Sequence, residues 1–188
     1  MNRLSINNIE KLESLSSELE FEKASSLYLK LRVLVKEDDS YIPVRKHVRK
    51  LIKKYELEHW TDEENITDEQ VKESDLAEQL VQLENLFYQR RKELIKLSLK
   101  SNDLNQSDLA KLLCHSKSYM SELINGLRPF SKEDIVVMNR LFKISLEDLM
   151  PTFIKAERAL HIRRTLKSLP NNKIKLTRKD LDLQSVCV

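Results

Sequence analysis

Lys117, Tyr119 and Glu122 bring a cation, an aromatic ring and a carboxylate into six residues, a set able to meet the edges of base pairs. An ammonium group donates to guanine O6 or N7, a carboxylate accepts from cytosine N4, and a ring meets the thymine methyl. The same residue types also suit a solvated polar face, so the chemistry depends on what holds them. Gly126, the only glycine among 188 residues, follows Met120, Leu123 and Ile124 at helical spacing. Glycine reaches positive φ at little cost and so closes a helix at its C-terminal end. The candidate reading helix is therefore Lys117 to Asn125. Upstream, Leu109, Ala110, Leu112 and Leu113 repeat as the buried face of another short helix, started by Asn105 as N-cap. Only Cys114, His115 and Ser116 join the two. So short a connection between helices sharing a core predicts a helix-turn-helix, whose second helix can lie in the DNA major groove.

Other chemistry finds little support. One glycine leaves no phosphate-cradling glycine-rich loop, and no HExxH occurs. Cys114 and Cys187 belong to no CxxC or Cys/His cluster, and the four histidines are dispersed, so no metal or other cofactor is expected. Asp38-Asp39 and Glu63-Glu64 lie in polar stretches and read as solvated carboxylates, while Trp60 beside His59 reads as a cap on a local core. The chain reads as a binding protein, not an enzyme. No apolar run approaches the roughly 18–20 residues of a membrane span, and MNRLSINNIEK has no apolar signal core, which predicts a cytoplasmic protein without a membrane partner.

With 34% charged and 40% apolar residues, one Gly and four Pro, the chain is expected to be all-α. Residues 1–62 form the first region. Leu12, Leu15 and Leu19 suggest a weak helix or a frayed terminus. Ala24, Leu27, Tyr28, Leu31, Leu34 and Val35 predict a helix over 20–36, and Val44, Val48, Leu51, Ile52 and Tyr55 predict one from Pro43 to about His59, together a helical hairpin. Residues 63–79 are an acidic linker or the start of a long helix, with Thr67 and Gln70 as a capping box. Leu76, Leu80, Leu83, Phe87, Leu94 and Leu97 carry that helix on, with a heptad-like seam that pairs with a sister chain or packs on its own domain. Residues 80–151 hold the helix-turn-helix, completed by a helix from Ser131 with Ile135, Val136, Met138 and Leu141 inward, and by a short one over 145–149. Residues 152–188 form a basic extension, either resting on DNA phosphates or solvated. It holds a helix through Ile154, Ala159, Ile162, Leu166 and Leu169, and a short strand with Ile174 and Leu176 on one side.

The net charge of +3 conceals a gradient: 13 basic and 18 acidic groups over 1–79, 11 and 9 over 80–151, and 9 and 3 over 152–188. A basic C-terminal half suits a polyanion and an acidic N-terminal half a basic protein.

Leu109-Ala110, Ser121, Asn125-Gly126 and Ile144-Ser145-Leu146-Glu147 resemble the signature of the Cro/repressor (XRE) helix-turn-helix family over about residues 85–150. Within it, SKSYMSELINGLRPFSKEDIVVMNRLFKISLEDL is similar to HigA antitoxins of toxin-antitoxin operons. The resemblance implies a five-helix, lambda-repressor-like domain after the hairpin. It also implies that Gln106 contacts a phosphate, that Asn125 and Arg128 grip the DNA backbone, and that Ser116, Lys117, Ser118, Tyr119 and Glu122 face the bases. One departure is Cys114, where the family's turn usually has glycine, so that turn must take a non-glycine residue; Asp108 and Glu122 also put acid near the DNA side.

The resemblance further implies a type II antitoxin: a homodimer on a palindromic operator, its reading helices about 34 Å apart, that represses its own operon and neutralises a small basic mRNA-cleaving toxin of HigB/RelE type. The alternatives are a phage- or plasmid-type repressor without a toxin partner, and an interaction scaffold whose bundle has lost DNA contact.

Overall fold

A computed structural model of the chain describes residues 4, 6, 8–62 and 66–151, and beyond them positions 158, 162, 164–166, 168 and 169. Residues 1–149 form one compact unit and 150–188 another. The described residues contain α-helices and short 3-10 turns and no strand. The strand expected around Ile174 and Leu176 lies outside them, as does most of the helix expected from Ile154. Positions 158, 162, 164–166 and 168 are helical.

The N-terminal core is built on α1 (Glu18–Leu34) and α2 (Ile42–His59). Ser17, extended, accepts the Glu20 N–H at 3.3 Å and starts α1, and Ala24, Leu27, Leu31 and Leu34 are its buried stripe. That cap also explains why no helix runs from Leu12 to Leu19: a residue in the β region cannot sit inside one. Instead a 3-10 turn over Ile9–Lys11 tucks Ile6, Ile9 and Leu15 against the two helices. Pro43 sits in the first turn of α2, where its missing N–H costs nothing. Glu18, 3% exposed, accepts from Tyr55 Oη at 3.0 Å and Trp60 Nε1 at 3.1 Å, so Trp60 does close the end of the hairpin.

Helix α3 (Asp68–Ser101) runs 34 residues, about 51 Å at 1.5 Å per residue. Thr67 caps it by accepting the Gln70 N–H at 3.2 Å, but the Gln70 side chain donates to the His59 carbonyl at 2.8 Å and ties α2 to α3 instead of closing a capping box. The expected leucine seam is not the buried one. Ala77, Val81, Ile95 and Leu99 face inward, set about 100–150° round the helix from the mean direction of the expected stripe. Leu76 and Leu97 stay 61% exposed.

The C-terminal core gathers Ile95 and Leu99 with α4 (Gln106–Leu112), α5 (Lys117–Ile124), α6 (Lys132–Phe142) and α7 (Leu146–Leu149). Ser131 and Asp134 form a reciprocal capping box on α6. Its inward face is narrower than expected: Ile135 and Met138 are buried, whereas Val136 and Leu141 are exposed. Arg91, 2% exposed, lies at the middle of this unit. It donates to the carbonyls of Leu123 at 3.0 Å and Leu149 at 3.4 Å, beneath the rings of Tyr88 and Phe130. Burial lowers its pKa to about 10, which still leaves it charged at neutral pH.

Positive φ recurs at the helix ends: Asp103 at +54°, Cys114 at +56°, Gly126 at +72° and Lys143 at +58°. After the first three, the next amide reaches back to a carbonyl of the finished helix: Leu104 to Leu99, His115 to Ala110 and Leu127 to Glu122, at 2.8–2.9 Å. These are Schellman closures. Glycine stands where a side chain has no room, since a Cβ at 126 would lie 2.8 Å from Tyr88 Cγ. The lone glycine answers a steric demand as well as a dihedral one, while Cys114 bears the left-handed turn that the sequence comparison anticipated.

Candidate nucleic-acid interface

The turn between α4 and α5 is fixed at both ends. Asn105 accepts the amides of Ser107 and Asp108 at 2.8 and 3.2 Å, and Asp108 accepts the Asn105 amide at 3.1 Å, so this acid is spent on a cap. Ser116 accepts the Tyr119 amide at 3.2 Å and starts α5. His115 Nε2 lies 3.0 Å from Asp134 Oδ1, which latches the turn to the start of α6.

From this frame the candidate reading residues divide into two groups. Ser116, Lys117, Ser118 and Tyr119 are exposed along the first turn of α5, and Gln106, the first residue of α4, is half-buried beside them. Glu122, Asn125 and Arg128 are bound within the chain. Arg128 Nε pairs with Glu122 Oε2, and its guanidinium lies 5.3 Å from the centre of the Tyr119 ring. Asn125 donates to the Ser121 carbonyl at 2.8 Å and accepts from Lys92 Nζ. Glu122 is only 8% exposed. In this conformation its carboxylate meets protein groups and not a groove, unlike the open polar position that its spacing suggested.

What covers it comes from far up the chain. Tyr41 Oη donates to Glu122 Oε1 at 2.7 Å and, with its one proton committed there, accepts from the Ser118 hydroxyl at 3.0 Å. Ser121 Oγ donates to Glu37 Oε2 at 2.7 Å. Burial, above all, raises the Tyr41 pKa, so its hydroxyl remains a donor. The Ser40 amide, above all, holds the Asp38 carboxyl below the usual carboxylate range. A cleft of about 680 Å³ is lined by Glu37, Asp38, Asp39 and Tyr41 together with Gln106, Lys117 and Ser118. No local pattern in the sequence pointed to Tyr41 or Glu37, which lie 77 to 84 positions from their partners.

Two short helices joined by Leu113, Cys114, His115 and Ser116, with a solvent-facing first turn on the second, have the layout of a helix-turn-helix. Residues 95–149 match the helix-turn-helix family model. This helix-turn-helix domain covers the C-terminal end of α3 through α7 and supports a DNA-binding regulator of Cro/repressor type. No curated protein and no solved structure matches the chain. No described helix is long and apolar enough to cross a membrane.

Proposed function

We propose that the chain is a transcriptional repressor of the HigA antitoxin type, which binds a palindromic operator as a homodimer and also holds a small basic toxin of HigB/RelE type. The observation that carries the DNA half is the exposed first turn of α5, Lys117 to Tyr119, above a core built by the helix-turn-helix domain. In this reading Lys117, Ser118 and Tyr119 meet the bases, Gln106 and Ser116 lie at the groove edge, and Asn125 and Arg128 grip phosphates once their internal partners exchange. The toxin half is supported by the likeness of residues 116–149 to HigA antitoxins and by the acidic residues 1–79, whose charge complements an RNA-binding enzyme. Leu76 and Leu97, exposed along α3, supply apolar surface for a sister chain.

The reading as a phage- or plasmid-type repressor without a toxin is favoured by a separate observation, the bonding of Tyr41 and Glu37 to α5. Those contacts suit an N-terminal region that serves the DNA-binding domain alone. A small basic protein encoded beside this chain should co-elute with it if the antitoxin reading holds, and failure to co-elute leaves the repressor. Lys117→Ala should weaken a gel shift on the upstream duplex by about 5- to 100-fold, the worth of one good base contact. An unchanged shift removes Lys117 from the interface.

A further inference from the structure

The DNA-reading proposal leaves one arrangement unused, the acidic connection between α1 and α2 lying across α5. We propose that residues 37–41 form an autoinhibitory lid on the reading helix, held shut by Tyr41 and Glu37, which duplex DNA must displace in order to bind.

Three observations meet here. The bonds fall on the polar side of α5: Tyr41 engages Ser118 and Glu122, and Glu37 engages Ser121, which is 5% exposed. The lid carries three successive carboxylates, Glu37, Asp38 and Asp39, which line the cleft together with Lys117 and Gln106. They set negative charge near the cation that a phosphate or a base edge would approach, and repel the phosphates of any duplex that does. Finally, a major groove about 12 Å wide must receive α5 with its flanks clear, and Tyr41 occupies such a flank. The lid is anchored on its inner side, because the Tyr41 ring belongs to the N-terminal core and Ser26 Oγ donates to Asn85 Oδ1 on α3 at 2.9 Å. Opening therefore peels 37–41 and its neighbours off α5 and need not unfold the hairpin.

The consequence is a tax on affinity. With the closed form dominant, the apparent Kd is the open-state Kd divided by the open fraction. Weakening the lid should tighten DNA binding, the reverse of what most interface-adjacent mutations do.

This inference rests on the DNA-binding reading, and the experiment separates the two. Wild type, Tyr41→Phe and Tyr41→Phe/Glu37→Gln are titrated against the same duplex, selected with wild type, after thermal melts show that each is folded. Tyr41→Phe keeps the ring and changes no charge, so a gain cannot come from reduced repulsion. It should bind about 5- to 150-fold tighter, the worth of the two hydroxyl bonds it removes, and the double variant tighter still. Folded variants that bind no tighter than a binding-competent wild type overturn the lid and leave the repressor reading standing. No binding to any duplex by wild type or variants overturns both.

Discussion

Replacing Arg91 with alanine is expected to cost about 3 kcal/mol of stability, a fall in Tm of about 6–12 °C for a chain of this size. The side chain is enclosed and donates to the last carbonyls of two helices, Leu123 at the end of α5 and Leu149 at the end of α7. A hydrogen bond from a charged donor is worth about 1.5–3 kcal/mol, and the Leu123 carbonyl keeps a second donor in the Gly126 amide at 3.2 Å. The void beneath Tyr88 and Phe130 adds to that. Against these stands the relief of a buried charge, whose cost is visible in the pKa lowered to about 10, so the sum is smaller than the separate losses. Arg91→Met refills most of the void but supplies no donor, and should fall between wild type and alanine. Hydrogen exchange should quicken in α5 and α7 before α1 and α2. A thermal midpoint unchanged in Arg91→Ala would show that the two helix ends need no cation.

Gly126→Ala should be similarly damaging, by about 2–4 kcal/mol, from two terms that can be separated. A left-handed residue with a Cβ costs about 1–2 kcal/mol. The new methyl also meets Tyr88 Cγ at 2.8 Å, and overpacking of a rigid ring base costs about 1–3 kcal/mol. In a Tyr88→Ala background the second term falls away, so the penalty for Gly126→Ala should drop toward about 1 kcal/mol. Equal penalties in both backgrounds would mean that φ alone selects glycine. The opposite exchange, Cys114→Gly, relieves a positive φ at an exposed turn and should gain up to about 1 kcal/mol.

The helices were legible because their signals are local. Thr67, Asn105 and Ser131 each cap the helix that follows them, and Gly126 closes the helix before it. The inward side of α3 was not legible. Its leucines form the stronger stripe, yet α1 and the C-terminal core pack on the flank bearing Ala77, Val81, Arg91 and Ile95, where small residues and one cation fit closely. Counting apolar residues cannot detect that choice. At the interface, the exposed first turn of α5 followed from spacing. The burial of Glu122 did not, because it depends on Tyr41, 81 positions away in the chain. The pair Asp38-Asp39 reads in sequence as solvated carboxylates, and its proximity to Lys117 exists only in three dimensions.

The most direct test of the central claim is selection of the folded protein against a pool of random duplexes, in parallel with Lys117→Ala. An account in which α5 reads DNA predicts that wild type enriches a two-fold symmetric sequence with half-sites about one helical turn apart, and that the variant loses preference within each half-site. A pool that stays random for wild type, or the same sequence enriched equally by Lys117→Ala, contradicts it.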